Sequence, residues 1–444
     1  MSSISFQFSK IAIVKCLTLR SVLYTGVGAL IILASGCVTN PVTGKSELSL
    51  MSEQQEIAMG KQNYLPSQQS QGGLYVVDPA LQAYVSSVGQ KIAQISHRPE
   101  LPYEFVVLNN GVPNAWAMPG GKIAINRGLL VQLKDEAQLA SVLGHEVVHV
   151  TARHAANQMT QSTLLGVGTQ VLGVATRESE LNQLVMMGAG YGAAAWQAKY
   201  GRDDELQSDK IGMNYMVTLG YDPQAAVELQ ELFVKMSEGK QTDFISGLFA
   251  SHPPSQQRVV ANRERAKKLS GNKRNKAAFD KAMAQLRKDS AAYTTHERAI
   301  AAAKNKDMTT AMKLVEQAIS QQPKENLFWE TKARLHTMQK QETEALRAYD
   351  NAIRANPNYF SPYLGRGALK QSMKDYTGAE RDLVNSQRFL NTPVANYLLG
   401  GVALQQGNRQ KAVKYFQVAA SAGGEVGQAA QQELAKLNPT PAAQ

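Results

Sequence analysis

Three alanines, Ala311, Ala345 and Ala379, stand 34 residues apart, and the pairs Ala318/Ala352 and Pro323/Pro357 repeat that spacing. A fixed period of this length means that one supersecondary unit is copied, and such a unit must stack on its neighbours to bury its apolar face. Trp329, Ala333 and Tyr349 fill the large and small phases between these markers. After a one-residue deletion, Gly400, Ala412, Phe416 and Ala419 carry the series on. Four repeats are expected, 292–325, 326–359, 360–392 and 393–426, closed by a helix over Gln428–Leu437 and a tail at 438–444. Small residues at fixed phases let paired helices approach closely, so the pattern predicts an α-solenoid over 292–437 with a concave face suited to protein.

A different signal governs the first half. His145-Glu146-Val147-Val148-His149 lies within an apolar-periodic stretch, Ala137–Met159, that contains no proline. On an α-helix, residues four apart differ by about 40° in projection, so both histidines can face one metal ion with Glu146 beside its open position. A catalytic metal site needs a third protein ligand, and Glu205 is the best candidate. It shares a helix face with Asp209, a pairing that suits one carboxylate on the metal and another on a ligand histidine. Arg202, three residues before Glu205, could orient either. His154 is nine residues from His145, on the opposite side of a continuous helix, and is read as structural or as a support for a ligand. His252 lies in a loop, Ser251-His252-Pro253-Pro254, free of helix phase. It is expected over the cleft, either steadying the transition state or filling the fourth metal position as a plug.

Four segments together resemble the family M48 zinc metallopeptidases: Asn114–Gly121, His145–His154, Arg202–Asp209, and Ser251–Ser255 with Arg258. The resemblance implies a zinc ion held by His145, His149 and Glu205, with Glu146 as general base and Asp209 as a supporting carboxylate or proton donor. The reaction implied is amide hydrolysis, in which zinc activates water and polarises the scissile carbonyl. The repeats, whose markers fall where tetratricopeptide repeats place them, imply docking onto substrate or onto the outer-membrane β-barrel assembly machinery. Misfolded or stalled outer-membrane proteins are the implied substrates. A chaperone or scaffold in which the repeats act and proteolysis is secondary is the alternative. The expected fold is α+β and mostly helical: a zincin-like metallopeptidase domain with a small β-sheet over 76–270, then the α-solenoid. Tyr103–Leu108 and Lys122–Asn126 are the expected strands, and an edge strand there could bind an extended peptide.

The N-terminus carries Lys10, Lys15 and Arg20 with no acid before Cys37, then an apolar run from Val22 to Ala34 and Ser35-Gly36-Cys37. That is a secretory signal over 1–36 whose ending resembles a lipobox, implying lipidation of Cys37. An ordinary signal peptide or an uncleaved anchor is the competing reading. Residues 37–75 are then lipid anchor and N-terminal linker or helix. The only other cysteine, Cys16, would leave with the signal, so the exported chain relies on its core rather than on disulfides. Loss of three cations takes the net charge from +11 to +8. Val38 after the cysteine implies the inner leaflet of the outer membrane, facing the periplasm. Nucleic acid is not an expected partner of an exported lipoprotein, whatever its charge. The stretch Met159–Thr176, with Leu184–Trp196, reads as helices packed around the site, a membrane span being the alternative. Residues 271–291 are expected as a basic linker helix, part of a run from Arg263 to Lys276 read as solvated or as contacting acidic lipid or a partner.

Overall fold

The computed structural model of the protein describes residues 37–171, 200–238 and 251–437. The expected signal at 1–36, the end of the apolar stretch (172–176) with Leu184–Trp196, and the tail at 438–444 lie outside the described residues. Among the described residues no helix is long and apolar enough to cross a membrane.

The chain opens with a short antiparallel ribbon, β1 (Cys37–Thr39) and β2 (Ser46–Leu48), followed by helices α1 (Glu53–Ser70) and α2 (Pro79–Gln94). Three strands come next: β3 (Glu104–Leu108), β4 (Ala115–Met118) and β5 (Lys122–Asn126), in spatial order β3-β5-β4. β5 is the centre, parallel to β3 and antiparallel to β4. The expected strands are β3 and β5. β4 is the addition, hidden in sequence because Ala115–Met118 is buried throughout and shows no alternation. Gly120 and Gly121, both at positive φ, make the turn that folds β4 back on β5.

Alternation along the strands feeds two faces. Phe105, Val107, Ile123 and Ile125 join the main core, where α2 and the helix α4 (Glu136–Thr151) pack. Leu108, Trp116, Met118 and Ala124 form a second cluster with Tyr64 of α1, whose hydroxyl donates to the Ile123 carbonyl at 2.6 Å. Each fully buried side chain of this size contributes about 1.5–3 kcal/mol. α1 lies so close that a Cβ on Gly60 would sit 2.1 Å from the Pro119 carbonyl oxygen. Residues 37–75, expected as lipid anchor and N-terminal linker or helix, include a helix that closes one face of the sheet.

The two sheet edges differ. Gln82 of α2 donates to the Phe105 carbonyl and accepts from the Val107 N–H, both at 2.8 Å, and Tyr75 N–H bonds the Val107 carbonyl. The β3 edge is therefore sealed. On β4, pairing with β5 through positions 114, 116 and 118 turns the main-chain groups of Ala115 and Ala117 outward.

After β5 come a single turn, α3 (Arg127–Leu130), and then α4 and α5 (His154–Val171). Beyond the gap lie α6 (Arg202–Thr218), α7 (Gln224–Glu238) and α8 (Gln256–Ala266). The stretch expected as one helix from Ala137 to Met159 breaks at Arg153, which takes φ +59°. Its last carbonyls are held from the N-terminal segment and from Arg98: Arg98 donates to Val150 O at 3.3 Å and Asn40 to Ala152 O at 3.2 Å. Arg153 and Arg98 both clamp the buried carboxylate of Glu56. Neither glycine nor proline announces this break; distant side chains impose it.

Residues 271–291 contain a helix, as expected, α9 (Lys276–Lys288), but it packs as part of the domain rather than linking two, with Phe279, Met283 and Leu286 buried in the main core. Within the basic run Arg274 is bound by Asp135, Asp222 and Glu228. Apolar residues spaced 3–4 apart among lysines were the signal.

The repeats follow as helix pairs: α10 (Ser290–Lys304) with α11 (Met308–Gln321), α12 (Asn326–Met338) with α13 (Glu342–Ala355), α14 (Phe360–Ser372) with α15 (Tyr376–Phe389), and α16 (Pro393–Gln405) with α17 (Arg409–Ala420). α18 (Gly424–Leu437) caps the stack. Ala311, Ala345, Ala379 and Ala412 are each fully buried, as the period requires.

The array is docked on the first domain through buried polar groups. Arg127 donates to Asn109 at 2.9 Å and lies 3.5 Å over the Tyr293 ring, while Asn109 and Tyr293 both donate to Glu325. Gln69 bonds Asn358 O at 2.8 Å and Phe360 N at 2.9 Å. His296 is buried at this junction, bonded to Thr331 and packed on Phe328. Burial, with the charge of Arg127, pushes its pKa down to about 4. A folded pKa below the unfolded one means stability is complete above pH 6.5 and is lost as pH falls toward 4. Acidification should lower the stability of the fold by up to about 3 kcal/mol through this group. His296→Gln should flatten the stability profile between pH 6.5 and 4, measured by urea unfolding at a series of pH values.

Candidate metal centre

The crossing of α4 and α6 builds the site. At Gly144 and Gly212 the two backbones touch: a Cβ on Gly212 would lie 2.9 Å from His145 N. Glu205, Asp209 and Gly212 share one face of α6, so this contact sets both carboxylates over the histidines of α4. α6 starts from Gly201 with Asp203, Asp204 and Glu205 in its first turn, where its dipole favours negative charge.

The Nε2 atoms of His145 and His149 lie 3.0 Å apart. Glu205 reaches them at 3.5 and 3.3 Å. His252 arrives from its loop with Nδ1 2.9 Å from Glu205 and 3.3 Å from His145 Nε2. One donor atom from each of these four residues falls within 4.8 Å of the others. Two imidazole nitrogens, a carboxylate and a third imidazole at such spacing fit a divalent metal. Glu146 Oε2 and His252 Nε2 are among the buried polar atoms that have no hydrogen bond among the described residues. Both fit a site organised for an ion and its attendant water.

Electrostatics separate the carboxylates. Burial raises the Glu146 pKa and so its basicity. Burial also opposes ionisation of Glu205, yet His252 and His145 hold it well below the carboxylate range. Asp209 is likewise buried, but Arg258 brings it down to about 2. Burial disfavours charge on His145, whose pKa Glu205 and Asp209 nevertheless lift to about 10 when no ion is bound.

Asp209 stands behind His145, 3.0 Å from Nδ1, and Arg258 grips it through Nε and Nη2, both at 2.7 Å. Of the two roles expected of Asp209, this contact is the one that orients His145. Arg202 is exposed at the start of α6 and touches neither carboxylate. Arg258 fills the place imagined for it, with Nη1 2.6 Å from Glu205 and a further bond to Pro253 O in the His252 loop.

His154 is not opposite the metal face. Because α4 ends at Thr151, the residue swings back and its Nδ1 lies 2.9 Å from His149 Nδ1. Tyr200, unnoticed in sequence, stacks on His149 with ring centroids 3.6 Å apart. Beside it a small pocket is lined by Ala117, Met118 and Arg153. A second cavity, against His145 and Glu146, has Leu129, Val142, Leu229 and Phe233 as walls. Arg258→Met should leave two buried carboxylates uncompensated. Metal-free protein should lose about 3–5 kcal/mol, read as a drop in its thermal midpoint, and added metal should restore more of it than in the parent chain.

Comparison with known proteins agrees with this geometry. The model of "Peptidase family M48" matches residues 79–266, and a tetratricopeptide repeat model matches 296–360. Beta-barrel assembly-enhancing protease of Escherichia coli is 28% identical over 243 residues, covering 53% of this chain and 49% of that one. Mitochondrial metalloendopeptidase OMA1 of Arabidopsis thaliana is 30% identical over 166 residues, covering 37% of this chain and 32% of that one. Metalloprotease YcaL of Escherichia coli is 30% identical over 168 residues, covering 37% and 62%. The chain thus spans about half the length of the β-barrel assembly-enhancing proteases it matches. Residues 79–266 belong to peptidase family M48, and tetratricopeptide repeats follow them in the same chain.

Proposed function

We propose that the protein is a zinc-dependent endopeptidase acting on misfolded or stalled outer-membrane proteins in the periplasm, tethered by lipid at Cys37. The observation that carries the enzymatic part is the convergence of His145, His149 and Glu205 beside the unpaired Glu146 Oε2. Zinc suits this donor set, and when bound it would supply Lewis acidity to the scissile carbonyl and to water. Glu146, its basicity raised by burial, takes the proton of the attacking water and passes it to the leaving amine. The outward main-chain groups of Ala115 and Ala117 align an extended substrate by β-augmentation, which asks for unfolded backbone and little sequence. Asp209 and Arg258 keep His145 and Glu205 in place.

His252 occupies the position that water and substrate need, so the described arrangement is a closed one, with the loop held by Arg258. The named role of the β-barrel assembly-enhancing relatives supports outer-membrane assembly as the setting. The docked repeats support a protein partner, for which the β-barrel assembly machinery is our candidate.

Glu146→Gln should lower cleavage of unfolded casein about 10²–10⁴-fold while zinc still binds. Full function of that variant in cells would instead favour a repeat-based scaffold. His252→Ala should raise casein cleavage at unchanged metal content. An unchanged rate would remove the gating role.

A further inference from the structure

His149 must keep its Nε2 lone pair free to bind a metal, so the proton of a neutral ring must sit on Nδ1. In many metal sites a carboxylate or carbonyl oxygen accepts that proton and fixes the tautomer. Here the neighbour is another imidazole, His154, with Nδ1 facing Nδ1 at 2.9 Å. An imidazole is not an obligatory acceptor: its own tautomer decides whether Nδ1 accepts or donates. Two Nδ1–H groups aimed at each other would repel, and two bare nitrogens would share no hydrogen. The partner on the far side of His154 therefore settles the matter. That partner is Gln207, whose Oε1 lies 2.7 Å from His154 Nε2. Asp204 Oδ1, at 3.6 Å from the same nitrogen, also favours a proton there.

We propose that Gln207 and His154 are positioning residues that set the metal-binding tautomer of His149 by relay. The Gln207 carbonyl oxygen accepts His154 Nε2–H, leaving His154 Nδ1 as acceptor. His149 then donates Nδ1–H to it and presents Nε2 to the metal. Reversal of the Gln207 amide would invert every step and place a proton where the metal belongs. The relay is local to three helices: Gln207 rides on α6 between Glu205 and Asp209, while His154 begins α5 because α4 stops at Thr151. The same helix that brings the third ligand thus also programmes the second.

The inference rests on the proposed metal site, and metal titration of the full chain separates the two. Metal-free protein is titrated with Co²⁺ and then Zn²⁺ against a chromophoric chelator, following the visible cobalt bands. If the parent chain shows no stoichiometric binding, the metal-site reading fails. If it binds, His154→Phe should weaken affinity about 10–100-fold, as removal of a ligand's hydrogen-bond partner does elsewhere. Gln207→Met should weaken it by a smaller factor, because Asp204 remains. Gln207→Glu, still an acceptor, should bind as tightly as the parent or tighter. A role in packing alone predicts equal losses for Met and Glu at position 207, or lower thermal midpoints of the metal-free variants without altered affinity. Either result overturns the relay, as does parental affinity in His154→Phe.

Discussion

Two carboxylates one helical turn apart, both buried, cannot exist in a folded chain without a counter-charge. Arg258 is that counter-charge. Its guanidinium spans Glu205 and Asp209 with short contacts to each and is itself almost wholly buried. Three parts of the site meet at this side chain. Through Asp209 it fixes the ring of His145, through Glu205 it fixes the third donor, and through the Pro253 carbonyl it fixes the loop carrying His252. Because Arg258 belongs to α8, the helix after that loop, one side chain holds both the loop and the two carboxylates.

The repeats and the two histidines of α4 were readable in sequence because each has a period that the backbone enforces. A 34-residue copy or an i, i+4 pair leaves few alternatives. Glu205 and Asp209 followed from the same helical logic. What stayed hidden involves contacts between elements far apart in sequence. The choice between Arg202 and Arg258 as partner of the carboxylates cannot be made from spacing, since the chosen residue is 49 positions from Asp209. Likewise, no local signal ends α4 at Thr151. The break depends on Asn40, Arg98 and Glu56, and with it the placement of His154 changes from remote to adjacent. β4 was missed because a buried strand of small and large residues has no alternation to detect.

The N-terminal segment therefore does more than connect. Glu56 holds two arginines, one at the end of the metal-binding helix and one in the turn after α2, while Tyr64 braces the sheet. The family match begins at residue 79, so Asn40 and Glu56 lie outside it, yet they help to end the helix that carries His145 and His149.

The junction between the domains has a geometric consequence. Arg127 lies at the end of β5, the central strand, and Asn109 just after β3. Asn109 donates a buried hydrogen bond to Glu325 of the repeats, Arg127 lies over the Tyr293 ring, and Gln69 from α1 reinforces them. The repeat array is for that reason an arm set at a fixed angle, not a leash. Its concave face therefore keeps a constant separation from β4 and from the cluster of His145, His149 and Glu205, and the length of the stack sets how far the last repeat stands from them.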